Sequence, residues 1–156
     1  MTVGIVAFSP DRLPAMAELW VEAWADSYPA IDFETRRAWF CDRIAAMAES
    51  GTTVLVALRS GELAGFVTID EATGWIDQML VGRAHQGTGV AAMLMDAAKR
   101  RRLAGLSLDV NADNLRAIAF YRQQGFVTTG RRVSDQGRAI DLMAWRPLPP
   151  GEPPPT

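Results

Sequence analysis

Gly87 and Gly89 stand one residue apart in HQGTGVAAMLMDAAKRRR, residues 85–102, a stretch that then settles into a helical pattern. The first turn of a helix leaves four N–H groups without intrahelical partners. Together with the helix dipole they make an anion site. Glycines at that point let a phosphate approach the main chain and permit unusual φ. The chemistry expected of Gln86, Gly87, Thr88, Gly89, Val90 and Ala91 is therefore main-chain recognition of a phosphate. A Walker loop is excluded, because Val90 and Ala91 stand where it needs a lysine and a hydroxyl. A dinucleotide fingerprint stays open, since Ala92 fills its third small-residue position. That motif normally follows a first strand, however, and this one follows four strands and two helices.

The elements that hold this loop follow from periodicity. Residues 3–8 read as a first strand. Met16, Leu19, Trp20, Ala23 and Trp24 fall at i, i+3, i+4, i+7 and i+8 of a helix, with Asp11 as its cap and Pro14 in its first turn. A second helix follows Asp32, buries Phe40, Ile44, Met47 and Ala48, and stops at Gly51. TTVLVAL and LAGFVTI form a hairpin through RSGE. WIDQMLV is the strand that feeds the glycine loop, and Val90, Met93, Leu94, Ala97 and Ala98 mark the face of the next helix. LSLDV alternates as a strand, ADNLRAIAFYRQQ is helical up to Gly125, and FVTTG and RAIDLMAW close the chain as strands. The last of these is expected at the sheet edge, where it would offer a pairing surface for a homodimer. The cations at 99–102 suit a helix C-terminus.

The order of elements, with QGTGVA at residues 86–91 and NLRAIAFYRQQGF at 114–126, resembles the GNAT superfamily of acyl-CoA-dependent N-acyltransferases. The resemblance covers most of the chain and rests on two separated motifs, the second carried by Asn114, Ala117, Phe120, Tyr121, Gly125 and Phe126. Arg83 departs from it, standing where proline is common. The resemblance implies an α+β fold: a mixed, twisted, mostly antiparallel sheet of about seven strands with four helices, in which WIDQMLV and LSLDV run parallel and splay apart. It implies acetyl-CoA as cosubstrate, with the pantetheine arm in that gap on the amides of Met79 and Val81. The diphosphate would lie on residues 86–91, Asn114 and Ala117 near the pantetheine, and Phe120 and Tyr121 beside the thioester.

Direct acetyl transfer to a primary amine of a small molecule or peptide then requires an oxyanion donor, expected from the amide of Met79 or Leu80. Tyr121 is the expected general acid toward sulfur, because a phenol stays protonated at neutral pH. Asp77 is the candidate base; its spacing on the strand predicts a shared face with Met79 and Val81. His85, the sole histidine, precedes the loop and is expected to position it or to face solvent. Trp24, Tyr28, Ile31 and Phe33, with Asp26 and Asp32 nearby, would bind the acceptor, and aromatics beside carboxylates suit an amine with an apolar group. Trp39, Trp75 and Trp145 are expected in the core or an interface. A non-catalytic acyl-CoA sensor or assembly module is the alternative.

The 156 residues fit one domain, 1–147, with a proline-rich tail at 148–156 expected to be disordered. A formal charge of −2 argues against bulk nucleic-acid binding. No run approaches the roughly 18 apolar residues of a membrane span, so no membrane partner is expected. The single Cys41 allows no internal disulfide. With no basic, apolar start resembling a signal peptide, a reducing cytoplasmic setting is expected. No metal-ligand spacing is present.

Overall fold

The computed structural model describes residues 2–147; the proline-rich tail and the side chains of Asp26 and Ser27 lie outside the described residues. Seven strands form one sheet in the order β1-β2-β3-β4-β5-β7-β6. They are β1 (Val3–Ala7), β2 (Thr53–Arg59), β3 (Glu62–Asp70), β4 (Trp75–Val81), β5 (Leu106–Asn111), β6 (Val127–Val133) and β7 (Ala139–Trp145). Four α-helices cover its two faces: α1 (Leu13–Ser27), α2 (Arg37–Glu49), α3 (Val90–Arg101) and α4 (Leu115–Gln123). Every neighbouring pair is antiparallel except β4 and β5.

Alternation along the strands divides the core in two. Val54 and Val56 of β2 face α1 and α2, where they meet Met16, Trp20, Phe40, Ile44 and Phe66. Leu55 and Ala57 face α3 and α4, with Val67, Leu94, Met95, Ile118 and Phe126. Burying a side chain of Leu or Phe size stabilises by about 1.5–3 kcal/mol, so each face fixes its own helix pair. The β2–β3 hairpin turns through Ser60 and Gly61 at φ 52° and 82°, both left-handed, as a tight two-residue turn of this hand requires.

Two expectations are corrected. RAIDLMAW is not an edge strand: β7 lies between β5 and β6, paired on both sides, so no dimer can add a strand to it. The chain after Gly125 stays extended as far as Val133, further than FVTTG suggests, and this longer β6 takes the edge. Asp11 does not cap α1. It lies in a 3-10 turn (Pro10–Arg12) and accepts a hydrogen bond from Ser9 Oγ at 2.5 Å, so Arg12 precedes the helix instead.

The parallel pair splays as expected. Trp75 opposite Ser107 is the only registered position between β4 and β5, and Ser107 N–H donates to Gly74 O at 2.8 Å. Beyond it the strands diverge and open a gap in the middle of the sheet.

Candidate active site

Strand geometry decides which groups face this gap. Gly82 N–H donates to Ala64 O at 2.8 Å, toward β3. Main-chain groups alternate in direction along a strand, so Leu80 also points to β3, while Met79 and Val81 point toward the diverging β5. Met79 and Val81 therefore present unpaired N–H and C=O groups to the gap. The amide of Leu80 is turned into the sheet, which leaves Met79 alone as the oxyanion donor of the two expected.

β4 is irregular one turn earlier. Val67 pairs with Met79 and Ile69 with Ile76, so two residues of β4 stand opposite one of β3. The wholly buried Thr68 stabilises this bulge, its Oγ1 accepting the Gln78 N–H at 2.9 Å. The extra residue reverses the face of everything before it. Ile76 and Met79 both pack toward α3 and α4. Asp77 emerges on the opposite face, against the expectation that it shares one with Met79 and Val81. There Arg43 of α2 grips both its oxygens, Nη2 at 2.6 Å and Nε at 3.0 Å.

The glycine loop opens outward. Gly87 and Gly89 take φ 76° and 87°, and no atom lies within 4 Å of where their Cβ would be. Thr88 Oγ1 turns back to His85 O, and the Val90 side chain is wholly buried, so these two contribute main chain only. The Gln86 N–H is already committed to Arg83 O at 3.3 Å, which removes it from the expected set of free amides. His85 is 7% exposed, which excludes a solvent role. Arg59 Nη1 lies 3.3 Å from its Nδ1, and Glu62 Oε2 lies 3.9 Å from its Nε2. Its place is under the loop.

Along this loop runs a groove of about 880 Å³, floored by Met79, Leu80 and Val81 and walled by Gln86, Gly87, Gly89, Ala91, Asn114, Ala117 and Phe120, with Arg83 and Arg116 supplying positive charge. It meets a second cavity of about 560 Å³ at Met79, Leu80, Asn114, Ala117 and Tyr121, which line both. Asn114 caps α4, its Oδ1 accepting the Ala117 N–H at 3.3 Å, so its Nδ2 is left to face the junction. Tyr121 is 8% exposed, and its hydroxyl makes no hydrogen bond among the described residues. Burial, with the nearby Asp109 charge, pushes its phenol up to about 12. It is therefore a neutral donor across the physiological range.

The second cavity carries Asp77, Asp109 and Asp113, but Arg43 pairs with Asp77 and Arg132 Nη2 with Asp109 Oδ2 at 2.6 Å, so of the three only Asp113 has no ion pair among the described residues. Trp24 and Tyr28 stack at 5.6 Å on its wall, and Asn111 Nδ2 donates to Tyr28 Oη at 2.5 Å. Of the other expected acceptor residues, Phe33 lines a separate aromatic cleft, and Ile31 lines neither this cavity, the groove nor that cleft but packs beside α1 and α2. The periodicity reading missed Asp109, Asn111 and Asp113. They sit at the end of β5 and just after it, and only the splaying of that strand brings them to the site. Trp39, expected in the core or an interface, is 53% exposed. Cys41 lines none of these three cavities, and burial raises its thiol pKa.

A mixed sheet parted between two parallel strands, with a glycine loop and helix N-terminus at one end of the gap, defines an acyltransferase-like site. Residues 13–126 match the model of the acetyltransferase (GNAT) family, and the chain belongs to that family. A peptidyl-lysine N-acetyltransferase, YjaB of Salmonella typhimurium, is 33% identical over 69 residues, 44% of this chain and 47% of that protein. The match thus spans about half the length of that relative. The PaiA N-acetyltransferase of Thermoplasma acidophilum, solved in complex with coenzyme A, superposes with TM-score 0.72 at 16% identity, over 94% of this chain and 99% of that one. The ribosomal-protein-alanine N-acetyltransferase of Brucella melitensis gives 0.67 at 22%, over 90% and 98%. At these identities the two structures show the fold. Among the described residues no helix is long and apolar enough to cross a membrane.

Proposed function

We propose that this protein transfers the acetyl group of acetyl-CoA directly to a primary amine. The observation that carries the reading is the place of Tyr121: its unpartnered hydroxyl stands where a groove suited to coenzyme A meets a cavity suited to a cation. In the groove the amides of residues 87–91 hold the diphosphate. Met79 and Val81 pair with the pantetheine amides as an added strand would, and Asn114 Nδ2 lies beside them. Asp113, the cavity carboxylate that no arginine pairs among the described residues, draws an ammonium into the cavity, where it gives its proton to solvent. The free amine attacks the thioester carbonyl; the C–N bond forms, and Met79 N–H steadies the oxyanion. The C–S bond then breaks, and Tyr121 hands its proton to the leaving thiolate and recovers one from water. Cys41 lies outside the site, which fits direct transfer without an acyl-enzyme.

Asp77 acts here as a fixed counter-charge, because Arg43 occupies both oxygens that a free base would use. Asp77→Asn is expected to raise the acceptor KM about tenfold, because it leaves the Arg43 charge unbalanced beside the cavity that takes the ammonium, and to lower kcat much less. Steady-state kinetics over both substrates measures the split; a kcat loss with KM unchanged would restore the base role. The activity itself is tested by thiol release from acetyl-CoA with a panel of primary amines. One thiol should appear per amine acetylated. A protein that binds coenzyme A by calorimetry yet releases none is the sensor instead.

A further inference from the structure

A third cavity of about 490 Å³, lined by Trp20, Trp24, Phe33 and Trp39 with Thr35, Arg36 and Gln78, opens beside the acidic one. Its walls are rings held at fixed angles. Trp20 meets Phe33 edge-on at 5.6 Å and 87°, and Trp39 tilts against Trp20 at 6.0 Å. Trp20 and Phe33 are buried, but Trp39 is 53% exposed. That exposed ring is also held in place: the Arg43 guanidinium lies 5.6 Å from its centroid, and Arg43 is fixed in turn by Asp77. A large aromatic kept in position yet uncovered at the mouth of an aromatic cleft offers a face that a ligand's ring can meet. Trp24 and Gln78 line both this cleft and the acidic cavity, so one ligand can occupy the two together.

Resting on the acetyltransferase reading above, we propose that the acceptor is an arylalkylamine. Its ring enters the cleft against Trp39 and Trp24, and a short alkyl link passes Gln78. Its ammonium reaches Asp113 in the neighbouring cavity, which Tyr121 also lines. A ring is favoured over an aliphatic chain because the walls are ring faces and edges, whose quadrupoles reward another aromatic in offset or edge-on contact. A peptide lysine would leave the cleft empty.

Calorimetry on the protein saturated with coenzyme A, which cannot acylate, tests this without any turnover. 2-Phenylethylamine is expected to bind at least about tenfold tighter than n-butylamine. Trp39→Ala should bring the ratio close to one, and Trp39→Phe should keep most of it. Trp39 is mostly exposed, so its removal leaves the core intact. Equal or absent binding of the two amines, a preference that survives Trp39→Ala, or tighter binding of a lysyl peptide would each overturn the proposal. Thiol release reads the activity separately: turnover of both amines at equal efficiency sinks the cleft assignment alone. A ring preference with no thiol released sinks the acetyltransferase reading and leaves the cleft standing.

Discussion

Tyr121→Phe is expected to lower kcat by about 10²–10⁴-fold, the range for loss of a general acid, with the KM for acetyl-CoA close to that of wild type. The substitution removes one oxygen and leaves the ring. That ring packs on Phe120 and Phe126 at centroid distances of 5.6 and 5.7 Å, and the hydroxyl bonds to nothing among the described residues. Folding therefore has little to lose, and a fall in rate reports chemistry. The pH profile adds a second constraint. The phenol works as a donor, so it must be protonated. Burial disfavours the phenolate and pushes the group up to about 12, so the donor form persists well above neutrality. The rate at fixed amine should climb with pH as more amine is free, and Tyr121 should impose no falling limb below about pH 10, the ordinary tyrosine value. Wild-type kcat retained in the variant at saturating amine would remove Tyr121 from the mechanism. A descending limb near pH 8 that vanishes in the variant would show the phenol to be far more acidic than its surroundings allow.

The parts legible in the sequence are those set by local rules. Hydrophobic period, the glycine stops at 51 and 125 and the hairpin through RSGE each need only a few neighbouring residues, and the element order came through intact. The loop glycines were legible for the same reason, and their left-handed φ is what the spacing implied. What failed depends on contacts distant in the chain. The face of Asp77 follows from a bulge whose cause, the Thr68 hydroxyl, lies ten residues away on another strand. Its partner Arg43 is thirty-four residues away. The position of β7 depends on β6 continuing past Gly130 and pairing back, which alternation within one segment does not encode. Of the two places expected for Trp39, core or interface, its exposure rules out the core, and only the packing of α1 against α2 leaves its ring at the mouth of a cleft.

Gly89→Ala should raise the KM for acetyl-CoA about 10²-fold, and Gly61→Ala should leave it unchanged. The two glycines are matched: φ is 87° at one and 82° at the other, and neither would-be Cβ meets an atom within 4 Å. Each alanine therefore carries the same left-handed strain, about 1–2 kcal/mol, and no clash inside the protein. Similar drops in melting temperature are expected for both. They differ only in what lies outside. At Gly61 that is solvent beyond a hairpin, whereas Gly89 lines the groove at the start of α3. A methyl group there stands where a phosphate must come to reach the amides. Losing two charge-assisted hydrogen bonds, at about 1.5–3 kcal/mol each, is ample for two decades in affinity. Strain cancels in the comparison, so the difference between the variants isolates the ligand contact. Equal KM values in the two would mean that coenzyme A does not rest on this loop. The junction at Tyr121 would then lose the geometry that makes it a site of acyl transfer.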